Sequence, residues 1–299
     1  MKAINLGATL YVPATRKDIV MVAMGSNPEL RSMVICLEDS VSETDVEEAK
    51  YNFTNTLAYF QENDPALIVY ARPRSVSMLL WMLKQPGIDM IDGFVIPKVN
   101  SKTLHQWLSA LMTCNHDFMP TLECGEVFDR NALISMREQL MPYQARVTAI
   151  RIGGNDILNV LGVRRSRYRT AYDGPLGHVI RDITSTFIPS GFSVSAPVFE
   201  HYGSLDLLAQ EVEQDIEHGL LTKTAIHPAQ LKVIHDMYRP SAQEMLEAKT
   251  IMKNNPPAVF GSNGSMCEPA THANWAANIL ERASVFGSSQ EQDNTPMVA

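Results

Sequence analysis

The chain has 299 residues, of which 45% are hydrophobic and 19% charged, a globular composition with room for one large barrel or two medium domains. Its formal net charge of -8 argues against a partner such as duplex nucleic acid, whose binding rests on neutralised phosphates, while leaving room for a local basic pocket that takes a small anion. There is no secretory signal, no apolar run of membrane-spanning length, and no CxxC pair or zinc spacing among Cys36, Cys114, Cys124 and Cys267, so the expectation is a reduced, cytoplasmic protein with no membrane partner.

Eight short apolar runs follow one another at 8–12, 33–37, 67–71, 94–96, 119–122, 147–152, 192–196 and 223–226. Runs without polar alternation suit strands buried on both faces, as in parallel sheets. Helical patterns lie between them. Ser42-Glu43-Thr44-Asp45 reads as a capping box ahead of Val46, Ala49, Phe53, Leu57 and Phe60 on one face. Leu104, Trp107, Leu108 and Leu111 form a second face, and Ala132, Leu133, Met136 and Leu140 a third. Leu205, Leu208, Val212 and Ile216 form a fourth, stopped by Gly219. Eight strands alternating with helices predict an α/β protein, a (β/α)8 TIM barrel over 1–238. Pro240-Ser241-Ala242-Gln243-Glu244 then opens another capped helix, and a last helix runs through Trp275, Ile279 and Leu280. Residues 239–286 are thus expected as a C-terminal helical extension of the same domain, with 287–299, rich in Ser, Gln and Asn, as a disordered tail.

In such barrels the chemistry sits where strands end, and the strand exits here are rich in acids and bases. Strand two leaves through Glu38-Asp39, strand three through Arg72 and Arg74, and strand four through Pro97-Lys98. Strand five leaves through Glu123, strand six through Asn155-Asp156, and strand eight through His227-Pro228. Carboxylates at the ends of buried strands are costly unless paired, and two from neighbouring strands, Glu123 and Asp156, would converge on one point. That suits Mg²⁺, which takes one or two carboxylates and keeps its remaining positions for water and substrate; two acids capping the following helices is the alternative. Two features stay open in the same way. His227 either fixes its loop or takes part in chemistry. Arg164, Arg165, Arg167 and Arg169, with Tyr168 and Tyr172, read either as a solvated loop or as a receiver of phosphate or carboxylates.

The ordered set of motifs resembles the HpcH/HpaI aldolase/citrate lyase family, in the branch similar to the citrate lyase beta subunit. The matching stretches are Leu10-Tyr11-Val12-Pro13-Ala14, Cys36-Leu37-Glu38-Asp39-Ser40-Val41 and Ile96-Pro97-Lys98-Val99. Thr121-Leu122-Glu123, Gly154-Asn155-Asp156-Ile157 and Lys223-Thr224-Ala225-Ile226-His227-Pro228 follow in the right order, so the likeness spans nearly the whole chain. The resemblance implies Glu123 and Asp156 as Mg²⁺ ligands and Arg72 as a catalytic group holding a substrate carboxylate or an enolate oxygen. It implies Glu38 and Asp39 as positioning or proton-transfer groups, and it implies a homo-oligomer, trimeric or hexameric. Arg72, Arg74, Lys98 and Asn155 are the expected substrate contacts.

Three departures bear on substrate. Gly7-Ala8 stands where relatives that use acyl carriers begin the first strand with Arg-Ser, Pro73-Arg74 stands for Val-Asn, and Ala196 stands for the aspartate that usually ends strand seven. The expectation is a metal-dependent carbon–carbon lyase, working by retro-aldol or retro-Claisen cleavage through a stabilised enolate. Its partner would be a small, multiply anionic carboxylate, with phosphorylated metabolites also open and citryl-CoA disfavoured. Two alternatives stand beside it: an acyl-CoA thioesterase on the same fold, and a non-catalytic metabolite-binding barrel subunit.

Overall fold

All eight expected strands form. In the computed structural model, which describes residues 1–289, they are β1 Ala8–Pro13, β2 Ser32–Cys36, β3 Ile68–Arg72, β4 Gly93–Val99, β5 Asp117–Leu122, β6 Ile150–Ile152, β7 Val194–Ser195 and β8 Lys223–Ala225. From β1 to β7 each strand pairs in parallel with the next, and β1 also pairs in parallel with β8. The ring closes between β7 and β8 through Ala196, whose N–H donates to the Thr222 carbonyl at 2.8 Å and whose carbonyl accepts from the Thr224 N–H at 3.3 Å. β6 is shorter than the apolar run predicts, because Val147 makes only an isolated bridge to Phe118.

The helices are α1 Ile19–Ala23, α2 Val46–Glu62, α3 Val76–Met82, α4 Leu104–Leu111, α5 Arg130–Leu140, α6 Gly154–Val160, α7 Pro175–Phe187, α8 Leu205–Glu217 and α9 Ala229–Tyr238. The predicted faces of α2, α4, α5 and α8 supply buried residues, among them Phe53, Leu57, Trp107, Leu133, Met136, Leu208 and Val212. One local expectation fails. Ser42 makes no cap to the helix backbone; its hydroxyl donates instead to Asp45 Oδ2 at 2.7 Å, and Asp45 stands as an uncapped N-cap to α2. The acidic side chain three residues on was a better partner for the hydroxyl than the amide.

The chain divides into two compact units, 1–234 and 235 onward. The second carries α10 Ala242–Ile251, the hairpin Phe260–Ser262 with Ser265–Cys267, and α11 Pro269–Phe286. The predicted capping box at its start is present: Ser241 Oγ accepts from the Glu244 N–H at 3.1 Å while Glu244 Oε2 accepts from the Ser241 N–H at 2.7 Å. Residues 290–299, most of the expected tail, lie outside the described residues.

Inside the barrel, side chains stack in layers because alternate residues of each strand face inward. The lower layer is apolar: Val34, Tyr70, Val95, Met119 and Ala149, closed by Ala3 and Leu6 of the turn Ala3–Leu6 that precedes β1. Two residues further along the same strands lie Cys36, Arg72, Thr121 and Arg151, so the next layer upward is polar. Between barrel and helices, Lys223 is fully buried with Nζ 2.9 Å from Glu211 Oε1 and 2.7 Å from Asp215 Oδ2, both on α8. Arg165 also pairs with Glu211, and the Tyr172 hydroxyl donates to Asp215 Oδ1 at 2.7 Å. Two members of the arginine–tyrosine cluster therefore belong to a charge-balanced structural network.

Candidate active site

The upper end of the barrel holds a cavity of about 360 Å³ lined by residues of β1, β3, β5, β6 and β8 and by the segments that follow β2, β5, β6, β7 and β8. Asp39, Arg72, Glu123, Asn155 and Asp156 of the expected set line it, together with Tyr11, Thr121, Arg151 and Thr224. Glu123 follows β5 and is 3% exposed. Its Oε1 accepts the Lys98 backbone N–H at 2.7 Å, which is possible because Lys98 sits at φ +50°, where the register between β4 and β5 shifts. A non-glycine residue in that left-handed region is uncommon and costs energy, so the geometry is held by its surroundings. On the other side of Glu123 the chain needs glycine: a Cβ on Gly153 would collide with the Glu123 carboxylate.

The electrostatics divide the site in two. Burial, reinforced by repulsion from Asp156, pushes the Glu123 carboxyl up to about 8. Burial and then the charge of Asp39 push Asp156 up as well. Glu123 accepts the Lys98 amide and hydrogen-bonds with the Asp156 side chain, and among the described residues neither carboxylate makes a salt bridge. Two convergent carboxylates, one bearing a single amide bond and both destabilised as anions, fit a divalent cation with open positions for substrate. No group of three or more His, Cys, Asp or Glu side chains suited to a metal occurs among the described residues, so any metal would lean on these two and on exogenous ligands.

The other half is paired. Lys98 Nζ lies 2.6 Å from Glu38 Oε1 and 2.7 Å from Asp39 Oδ1, and Arg72 Nη2 lies 3.1 Å from Glu38 Oε2 and 3.8 Å from Asp39 Oδ2. Arg72 also donates to Cys36 Sγ, at 3.1 Å from Nη2 and 3.2 Å from Nε. Burial and the bond with Asp39 raise the Glu38 carboxyl; burial opposes the shift at Asp39, but hydrogen bonds with Glu38 and Lys98 hold it below the usual range.

Arg74 is not brought into the cavity. Its guanidinium donates to the Val41 carbonyl at 2.8 Å and the Leu37 carbonyl at 3.2 Å, and pairs with Glu43 at 2.8 Å, which fastens the loop after β2. His227 accepts the Ala229 N–H on Nδ1 at 3.1 Å and stacks on Tyr202 with ring centroids 4.7 Å apart, so it shapes the turn. Arg164 pairs with Glu200 at 3.1 Å on the surface.

Arg151, Tyr11, Thr121 and Thr224 were missed from the sequence as site residues. The signal for Arg151 was present: a charged residue between Ile150 and Ile152 interrupts an otherwise apolar buried strand. The threonines carry no such signal, since threonine is ordinary in strands.

A parallel eight-stranded barrel with a carboxylate pair, an arginine and a bonded carboxylate–lysine group at its carboxyl end is the architecture of a TIM-barrel enzyme site. Over residues 1–288 the chain matches the family model for C-C bond lyase of the TIM-barrel fold, and it belongs to that family. It is also similar to a (3S)-malyl-CoA thioesterase of Cereibacter sphaeroides, 24% identical over 246 residues that cover 80% of this chain and 79% of that protein. Among solved structures it shares its fold with the CitE protein of Mycobacterium tuberculosis in complex with magnesium, acetoacetate and coenzyme A (TM-score 0.68, 19% identity, 94% of this chain and 99% of that one). It shares the fold too with the citrate lyase beta subunit of M. tuberculosis complexed with oxaloacetate and magnesium (TM-score 0.59, 17% identity, 80% and 100%). No helix among the described residues is long and apolar enough to cross a membrane.

Proposed function

We propose that this protein is a Mg²⁺-dependent carbon–carbon lyase that cleaves a small anionic carboxylate through an enolate. The observation that carries the reading is the unneutralised pair Glu123 and Asp156 facing Arg72 across one cavity. Magnesium complexes of the M. tuberculosis relatives support the choice of ion. Held by Glu123 and Asp156, Mg²⁺ would act as the Lewis acid for a substrate carbonyl on which negative charge develops.

The protein's own groups do the rest. Arg72, fixed by Glu38 and Cys36, presents a planar fork that orients a carboxylate or an enolate oxygen. Asp39 lines the cavity and is the carboxylate placed to accept the proton of a substrate hydroxyl. As that O–H bond breaks, the oxygen becomes a carbonyl, the adjacent carbon–carbon bond breaks, and its electron pair passes into the enolate. Lys98 Nζ bonds both Asp39 and Glu38, helping to hold Asp39 below the usual range, and its backbone amide donates to Glu123, tying the two halves of the site together.

A second reading is thioester hydrolysis, favoured by the malyl-CoA thioesterase relative. Against it stands Gly7-Ala8 in place of the first-strand Arg-Ser. The test is a metabolite screen with Mg²⁺, scored for release of pyruvate, acetate, glyoxylate or oxaloacetate, with Glu123→Gln as control. Carbon–carbon fragments lost in the variant are the expected result. Release of free coenzyme A from an acyl-CoA with its carbon skeleton intact, at roughly 1 per second or faster, would replace the lyase reading with the hydrolase.

A further inference from the structure

Arg151 is 2% exposed, in the second inward-facing layer of the barrel. From β6 its side chain crosses the interior, and Nη2 donates to Thr224 Oγ1 of β8 at 2.5 Å. Its other recorded contacts are Met119 Sδ at 3.6 Å and the Tyr11 ring, whose centroid lies 5.3 Å from the guanidinium carbon. Among the described residues no carboxylate forms an ion pair with it. Arg72 lies 5.1 Å from the same Tyr11 ring, but Arg72 has Glu38. A buried guanidinium without an anion is costly to fold around. Thr121, which pairs in register with Arg151, is 5% exposed, and its hydroxyl is buried with no hydrogen-bond partner. Both side chains line the cavity, as do Thr224 and Tyr11.

The site therefore contains two complementary deficits: two carboxylates without a cation at the rim, and one guanidinium without an anion on the floor. Thr121 is two residues before Glu123 on one chain segment, so the floor lies roughly 6–7 Å below the rim at the usual strand rise. That separation is spanned by a short carbon chain with an acid at each end.

We infer that Arg151, Thr121 and Thr224 form a second anion subsite that takes the distal carboxylate of a dicarboxylic substrate. The inference rests on the lyase reading for where the reacting end sits, and on Arg151 alone for the other end. A carboxylate fits the charge: one unpaired cation balances one negative charge, whereas a phosphate brings about -1.5 to -2. The planar fork also favours a planar anion. Arg151 is on this account a specificity-determining residue.

The test is calorimetric titration of the full chain, saturated with Mg²⁺, using chain-matched 2-oxo acids. Oxaloacetate is compared with 2-oxobutyrate, 2-oxoglutarate with 2-oxopentanoate, and 3-phosphoglycerate serves as the phosphate arm. In wild type the better dicarboxylate is expected to bind about tenfold or more tighter than its monocarboxylate partner, the scale of a hydrogen-bonded charge. Arg151→Met should erase that difference while leaving monocarboxylate and Mg²⁺ affinity unchanged, and Arg151→Lys should keep part of it. Without ligand, the melting temperature of Arg151→Met should not fall, because an unpaired buried charge has been removed. A preference that survives in Arg151→Met, no preference in wild type, or equal loss of both acids would overturn the subsite. A preference for the phosphorylated acid that Arg151→Met removes would overturn its assignment to carboxylate. The lyase reading fails separately: Arg151-dependent binding with no carbon–carbon cleavage of any bound acid would leave the subsite standing alone.

Discussion

Gly153 and Glu123 share a space that fixes where the Glu123 carboxylate can sit. Any side chain at 153 would push the Glu123 carboxylate away from Asp156, since an added Cβ falls on it. Gly153→Ala is therefore expected to weaken Mg²⁺ binding without altering the charge of the site. Glu123→Gln should do so by removing charge, each by at least about tenfold, the scale reached even when residues behind a metal ligand are lost. Titration of Mg²⁺ or Mn²⁺ into the two variants checks this, and wild-type affinity in both would remove the pair from metal binding. Arg72 gives a second expectation at this scale. Arg72→Lys keeps the charge but loses the fork, so turnover should fall about tenfold or more, with little change in thermal stability. A normal rate with a collapsed melting temperature would make Arg72 a structural residue. The strand-end acids and Arg72 were legible in the sequence because charge at the end of an apolar run stands out. Arg151 was not singled out, since a chemical role was sought only at strand ends, while the barrel's lumen also presents interior positions to the cavity.

At the scale of single elements, β8 shows why facing is hard to read in short strands. Lys223 and Thr224 are adjacent, yet Lys223 turns outward to Glu211 and Asp215 on α8 while Thr224 turns inward to Arg151. Three residues contain no period from which to tell the two sides apart. The bulge at Lys98 was hidden for a related reason: Pro97-Lys98 marked a strand exit, but nothing in the sequence announces a lysine at φ +50°. The arginine cluster likewise looked uniform until packing separated buried Arg165 from Arg164, whose side chain is 78% exposed. These placements predict unequal costs. Lys223→Met leaves Glu211 with Arg165 and the Ala171 amide and Asp215 with the Tyr172 hydroxyl, and breaking such a buried pair typically costs about 3–5 kcal/mol. Arg164→Ala removes a solvent-exposed pair, whose usual contribution is about 0–1 kcal/mol. Chemical denaturation of both variants measures the contrast, and equal stabilities would mean that the Lys223 network does not hold β8 to α8.

Across the barrel as a whole, stability and chemistry are sited at opposite ends. The lower end is an apolar layer in which Leu6 and Ala3 close against Val34, Tyr70, Val95, Met119 and Ala149, and Ser32 Oγ donates to the Leu6 carbonyl at 2.7 Å. The upper end holds carboxylates with raised pKa, a lysine in a left-handed conformation and a guanidinium with no acid partner among the described residues, each of which works against folding. The overall fold was legible because eight apolar runs at barrel spacing report the lower and outer packing, which is hydrophobic and repetitive. The polar upper layer obeys no such pattern, since charged and hydroxyl residues interrupt the apolar runs there. Leu6→Ala is therefore expected to destabilise the protein by about 2–5 kcal/mol, the usual cost of a large-to-small change in a closed core. Leu6 is fully buried, so little relaxation can fill the gap. Mg²⁺ affinity of the folded variant should stay at the wild-type value, measured by calorimetry well below its melting temperature. Weakened metal binding in Leu6→Ala would show instead that the apolar layer transmits strain to Glu123 and Asp156, and that the two ends of the barrel are one cooperative structure.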